Sequence, residues 1–89
     1  MSTKKERHEL FREILGSLPI SQGDLAKWFY QENTKQTRKY VSRKATGENP
    51  VSKTEIDFLQ TLKFLHKKGF DLKSVEFSEE GKMLALNKL

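Results

Sequence analysis

Six lysine and arginine residues lie within residues 33–53, where Glu48 is the single acidic residue. The rest of the chain carries equal numbers of basic and acidic side chains, so this stretch accounts for the whole net charge of +5. Ammonium and guanidinium groups bind phosphate oxygens and donate hydrogen bonds to guanine. The cluster therefore predicts a surface that contacts nucleic acid. Its members are Lys35, Arg38, Lys39, Arg43, Lys44 and Lys53.

The alternative interpretation of this charge run is a solvated helix face, which is the usual explanation for clustered charges. Solvated faces normally mix positive and negative side chains. This stretch has no acidic residue before Glu48. The nucleic-acid interpretation is therefore preferred.

Two predicted helices precede the basic stretch. Thr3 begins the S/T-x-x-E spacing of a capping box, and apolar residues follow at helical spacing, which predicts helix 1 over residues 4–16. Ser21 and Asp24 repeat the capping pattern and predict a short helix 2 that ends near Tyr30.

Helix 3 carries most of the cluster and is predicted over residues 37–45, after a polar turn at residues 31–36. Asn33 or Thr34 is an alternative cap for an earlier start of this helix. Val41 is predicted to face inward because apolar residues recur at helical spacing. The outward side chains are then Arg38, Lys39, Ser42 and Arg43.

The C-terminal part of the chain changes its periodicity. Ser52 and Glu55 form a capping pattern that opens helix 4, which Gly69 ends. Helix 4 has more apolar side chains than one buried face needs. Beyond Gly69, apolar and polar residues alternate, which predicts a β-hairpin at about residues 73–88. An isolated hairpin is marginal in water, so we expect it to pack on the helices or to pair with a second subunit.

Composition argues for one small domain without catalytic chemistry. The chain has 89 residues and no cysteine, so disulfides and thiolate metal sites are excluded. Its two histidines, His8 and His66, are isolated in sequence, and no Gly-rich phosphate loop is present. We therefore predict no catalytic residue, no metal site and no cofactor. No apolar run is long enough to span a membrane, and no signal region is apparent at the N-terminus.

Two short patterns resemble those of the Cro/lambda-repressor-like (XRE-type) helix-turn-helix regulators, and the likeness covers residues 21–65. Helix 2 of that family commonly opens with Ser-Gln and carries Leu-Ala, as at Ser21, Gln22, Leu25 and Ala26. Its recognition helix commonly has Val-Ser-Arg with a later Gly and Pro, as at Val41, Ser42, Arg43, Gly47 and Pro50. The chain departs from the family in its longer turn and in Lys44, where an aromatic residue is frequent.

The resemblance implies a mainly α fold of four to five helices, with residues 1–89 as one helix-turn-helix domain and residues 70–89 as a β-hairpin extension for dimerisation. It implies a sequence-specific regulator of transcription, a repressor, that binds double-stranded DNA as a homodimer. The small size and the hairpin also resemble phage Cro-type repressors. The expected location is the cytoplasm, at the bacterial nucleoid or in the host of a phage. No membrane partner and no small-molecule ligand are expected.

The candidate site residues follow from the predicted faces. Helix 3 would read bases through Arg38, Lys39, Ser42 and Arg43. Phosphates would be bound by Gln22, Lys35, Thr37, Lys44, Thr46, Asn49 and Lys53. Surplus apolar residues would form the dimer interface, namely Phe58, Phe64, Val75, Phe77, Leu84 and Leu86.

Two other functions remain open from the sequence. A small protein-interaction module, such as an antitoxin or a phage inhibitor, could use helix 4 and the hairpin to block another protein. An RNA-binding protein could use the same basic surface. Salt-dependent binding to duplex DNA with a strong sequence preference would distinguish a DNA-binding regulator from both alternatives.

Overall fold

A computed structural model of the protein describes residues 6–89. Within these residues the chain forms helices followed by a two-stranded antiparallel sheet, which confirms the predicted class in its coarse form. The helices are α1 (Arg7–Ser17), α2 (Gln22–Tyr30), α3 (Lys35–Thr46) and α4 (Lys53–Lys67). The strands are β1 (Phe70–Phe77) and β2 (Met83–Lys88).

The first helix begins later than predicted. Glu6 has extended backbone angles, with φ −69° and ψ 155°, and its side chain makes no capping hydrogen bond. Helix α1 therefore starts at Arg7. The prediction that helix 1 already includes Glu6 is wrong. The predicted capping residue Thr3 lies outside the described residues.

The other three helices each begin with a capping box, which fixes their first turns locally. At α2, the Ser21 hydroxyl accepts from the Asp24 N–H at 3.1 Å, and the Asp24 carboxylate accepts from the Ser21 N–H at 2.9 Å. At α4, Ser52 and Glu55 exchange the same pair of hydrogen bonds. Both starts were predicted from the sequence.

Helix α3 begins at Lys35 rather than at residue 37. Thr34 is its cap, and the two hydroxyls of Thr34 and Thr37 exchange hydrogen bonds with the backbone N–H groups. The alternative cap at Thr34 is thereby confirmed, and the later boundary is wrong. The helix ends where Gly47 adopts φ 89°, a left-handed conformation that glycine takes without strain.

One hydrophobic core joins all four helices to the first strand. Its fully buried members come from every one of these elements, so no helix stands apart from the rest. Burying a side chain of this size contributes about 1.5 to 3 kcal/mol. The largest are Phe11, Leu25, Val41, Leu59, Leu62 and Leu72.

The hairpin begins at Phe70, earlier than the predicted residue 73, and its ladder is irregular. Asp71 pairs with Asn87 and Glu76 pairs with Ala85, so residues 72–75 of β1 face only one residue of β2. The Ser74 hydroxyl fills this bulge, since it accepts from the Asn87 N–H at 2.8 Å and donates to the Asp71 carbonyl at 2.6 Å. The bulge breaks the alternation of the strand.

The irregular strand has a direct effect on packing. Leu72 is 1% exposed and Val75 is 6% exposed, although the two residues are three positions apart. In a regular strand, residues at this separation point to opposite faces. The bulge turns both side chains toward the helices, which fastens the hairpin to the core.

No helix in residues 6–89 is long and apolar enough to cross a membrane.

Candidate nucleic-acid interface

Helix α3 has a buried side and a basic side. Thr37, Val41 and Ala45 are buried and recur every four residues, which places one stripe of the helix against the core. Lys35, Lys39 and Arg43 recur with the same period on the opposite side. These three residues are called the basic face below. The helix contains no acidic residue.

The cations of the basic face are available to a ligand. Lys35 and Lys39 are exposed, and neither forms an ion pair with any of residues 6–89. Arg43 lies 3.7 Å from the Glu48 carboxylate, and both side chains are more than one third exposed. A long, solvated ion pair of this kind contributes little to stability, so a more strongly binding anion can replace Glu48 as the partner of Arg43.

Arg38 lies beside the basic face and is held by a neighbour. Its guanidinium donates to the Asn33 side-chain oxygen at 2.7 Å. Asn33 in turn packs against Gly23 of α2, where an added Cβ would lie 2.7 Å from the Asn33 amide nitrogen. A glycine is therefore required at residue 23 for this contact. Arg38 is therefore hydrogen-bonded to a turn residue that contacts α2.

Ser42 completes the predicted base-reading set and lies partly exposed on α3. The structure thus brings all four predicted base-reading residues to the accessible part of one helix. Of these, Lys39 and Arg43 project opposite the buried stripe, whereas Arg38 and Ser42 lie on one flank.

Thr37 was predicted to bind phosphate, but its side chain is buried. It is 6% exposed, and its hydroxyl donates to the Glu32 carbonyl at 2.8 Å. The same hydroxyl accepts from the Thr34 N–H at 2.9 Å. The Thr37 side chain therefore belongs to the N-terminal cap of α3 and does not reach the surface.

Lys44 is also committed within the chain. Its ammonium donates to the Glu55 carboxylate at 3.0 Å and to the Pro50 carbonyl at 3.0 Å, and its side chain is only 12% exposed. These bonds fasten α3 to the loop before α4. Burial raises the pKa of the nearby Tyr30 hydroxyl, while the Lys44 charge acts in the opposite direction. Lys44 is a structural cation rather than a phosphate ligand.

The remaining predicted phosphate contacts lie at helix ends. Gln22 and Lys53 are the exposed first residues of α2 and α4, and Lys35 is that of α3. Helix N-termini favour anions through their free N–H groups. Thr46 is the last residue of α3 and Asn49 follows that helix, and the Thr46 hydroxyl and the Asn49 N–H both donate to the Arg43 carbonyl. Lys53 pairs with Asp57 at 2.8 Å but stays 77% exposed.

Two residues of this surface were not selected from the sequence. Gln36 was placed in the turn, yet it lies in the first turn of α3, and its amide donates to the Tyr40 hydroxyl at 2.8 Å. The Thr34-x-x-Thr37 capping pattern is the signal that would have included it. Asn33 was considered only as a cap, and its contact with Gly23 and Arg38 has no local sequence signal.

The predicted dimer residues divide into two groups. Val75 is buried in the core, and Phe58 and Phe77 pack together with ring centroids 5.8 Å apart. These three are used within the chain, so the interface assigned to them must be revised. Phe64 is 58% exposed and Leu84 is 63% exposed. Leu86 is partly exposed.

One group of possible metal ligands occurs in the described residues. Donor atoms of Glu6, His8 and Glu9 lie within 4.8 Å of one another at the start of α1. The His8 Nδ1 atom lies 3.3 Å from the Glu6 carboxylate. None of the three belongs to the basic face.

Comparison of the chain with protein-family models, with curated proteins and with solved structures found no match. A functional assignment therefore rests on the geometry of the chain itself.

Proposed function

We propose that the protein is a sequence-specific double-stranded DNA-binding regulator of the helix-turn-helix class, in which α3 lies in the major groove. The observation that supports this proposal is the basic face: three cations recur every four residues opposite a buried stripe, on a helix without acidic residues. The major groove of B-DNA is wide enough to admit such a helix. Helix α2 packs against α3 and would lie across the DNA backbone.

The contacts divide into base reading and phosphate binding. Lys39, Arg43 and Arg38 donate to the acceptors of guanine, and Ser42 can serve either base edge. Gln36 joins them, because a glutamine amide can pair with adenine in two hydrogen bonds. Phosphates are bound at helix N-termini and after α3. The phosphate-binding residues are Gln22, Lys35, Thr46, Asn49 and Lys53.

We further propose that the protein acts as a homodimeric repressor on an inverted-repeat operator. The exposed Phe64, the partly exposed Leu86 and the free edges of the two-stranded sheet supply the surface for self-association, and neither of the two side chains lines the groove that contains Leu84. A two-fold dimer presents two α3 helices, so the half-sites are expected about 34 Å apart. Repression then follows from occupation of the operator.

The test is selection of binding sites from random duplexes, followed by titration of the selected site and a scrambled site. Lys39→Ala and Arg43→Ala are each expected to weaken selected-site binding by about 1 to 3 kcal/mol and to relax the preference at one base pair per half-site. Lys63→Ala, an exposed cation of α4, is the matched control. No enrichment of any duplex, or tighter binding of single-stranded RNA, would contradict the proposal.

A further inference from the structure

A groove of about 860 Å³ lies between α2, the start of α4 and the hairpin. Its floor is an aromatic cluster in which the Trp28 ring packs edge-on against Phe58 and against Phe77, both with centroids 6.2 Å apart. All three side chains are only partly buried. Leu84, which is 63% exposed, lines the same groove. No residue of α3 lines it, so the groove is separate from the basic face.

The groove carries a negative rim. Glu76, Glu79 and Glu80 lie along the end of β1 and the hairpin turn, and none of the three forms an ion pair with any described residue. Lys27 is the single cation among the lining residues. The charge of this rim is negative, whereas the net charge of the protein is +5. It repels nucleic acid and attracts positive groups.

The rim also argues against a second copy of the chain as the occupant. Symmetric pairing of two grooves would bring two sets of the same carboxylates together, which costs energy unless cations lie between them. Apolar floors with charged rims are typical of sites that take an amphipathic segment of another protein. We propose that this groove binds a short cationic segment of a partner protein that carries large apolar side chains.

The hairpin turn is held in place for this role. The Gln31 side chain, at the left-handed end of α2 with φ 64°, donates to the Glu79 carbonyl at 3.2 Å. This bond joins the acidic turn to the helices across the groove. The groove is thus formed by the chain alone, without a partner.

Trp28 is the only tryptophan in the chain, so its fluorescence reports what enters the groove. The probe is an acetylated and amidated hexapeptide of two lysines, one arginine, two leucines and one phenylalanine. It is compared with a peptide in which glutamates replace the three cations, and with one in which serines replace the three apolar residues. The titrations are made at about 50 mM salt, where charges are weakly screened, and at protein concentrations that sediment as one species.

Only the cationic apolar peptide is expected to shift the Trp28 emission in a saturable manner. Glu79→Lys is expected to raise its dissociation constant by about threefold or more. Glu48→Lys, which makes the same charge change outside the groove, is expected to have a smaller effect. Circular dichroism of both variants checks that the fold is retained.

Three results would overturn the proposal. They are no saturable shift with the cationic apolar peptide, equal shifts with the glutamate peptide, or equal weakening by Glu48→Lys. If the Trp28 emission instead shifts without peptide over the concentrations at which sedimentation shows self-association, the occupant is a second copy of the chain and the proposed partner is wrong. None of these outcomes depends on whether the protein binds DNA.

Discussion

At the scale of single residues, Arg43 and Lys44 show that adjacent cations take different roles. The Arg43 side chain is 39% exposed and meets Glu48 only at 3.7 Å, whereas Lys44 is 12% exposed and bonds to Glu55 and Pro50. One helix position separates them, which rotates the second side chain by about 100° toward the core. From the charges in the sequence alone, both residues are predicted to contact DNA.

We expect Lys44→Met to destabilise the fold by about 1 to 3 kcal/mol, because it removes two hydrogen bonds from a largely buried ammonium. The loss is measured by urea unfolding. The salt dependence of DNA binding should not change, because Lys44 touches no phosphate in this proposal. A variant of unchanged stability and lowered salt dependence would return Lys44 to the DNA interface.

Thr37 and Thr46 provide a second pair of residues with different roles. Thr37→Ala is expected to cost about 1 to 2 kcal/mol of stability, because it removes half of the capping box of α3 and leaves a small cavity. Thr46→Ala should change stability by less than about 0.5 kcal/mol, since Thr46 is exposed. Thermal unfolding compares the two. Equal losses would show that the capping role of Thr37 is overestimated.

At the scale of elements, the hairpin is first of all a part of the hydrophobic core. Leu72 and Val75 are buried against the helices, and Phe77 packs on Trp28 and Phe58. Removal of the hairpin would therefore unfold part of the core. The contribution of the hairpin to self-association must be tested by changes to its exposed side chains alone.

We expect the double variant Phe64→Ser and Leu86→Ser to weaken self-association by about tenfold or more, because buried apolar contacts dominate such interfaces. Sedimentation over a range of concentrations measures the change. Leu89→Ser is the control, since Leu89 is 84% exposed but lies beyond β2. If the double variant dimerises as the parent does, the proposed interface is elsewhere.

The elements were predictable where the signal is local. The capping boxes at Ser21 and Ser52 and the terminal Gly47 locate helix boundaries correctly, since these motifs satisfy backbone groups within a few residues. The bulge at residues 72–75 was missed because Ser74 replaces a ladder partner through a contact with Asn87. The contact of Asn33 with Gly23 was missed for the same reason. Such long-range contacts leave no periodic trace in the sequence.

At the scale of the whole molecule, charge of opposite sign lies on separate surfaces. The basic face belongs to α3, while three carboxylates of the groove, which form no ion pair within residues 6–89, belong to β1 and the hairpin turn. Long-range attraction would orient the molecule with α3 toward a duplex as it approaches. This steering depends on salt, because exposed charges are screened beyond about 8 to 10 Å at physiological ionic strength.

Lys53→Ala is expected to weaken binding to all duplexes alike and to lower the slope of log affinity against log salt by about 0.9, because one phosphate contact releases one counterion. Lys63→Ala has the same charge change and should leave the slope almost unaltered. Both slopes come from titrations at several salt concentrations. Identical slopes for the two variants would remove Lys53 from the interface.

The irregular ladder of the hairpin also bears on aggregation. A regular exposed strand can template the addition of further strands into a cross-β fibril. Residues 72–75 interrupt β1, and a side-chain hydroxyl occupies the place of a backbone partner there. A strand added along this edge would lose its hydrogen-bond register at the bulge. Growth of the sheet from the β1 edge is therefore expected to stop after few strands, so that pairing of two β2 edges gives discrete assemblies instead of open-ended fibrils.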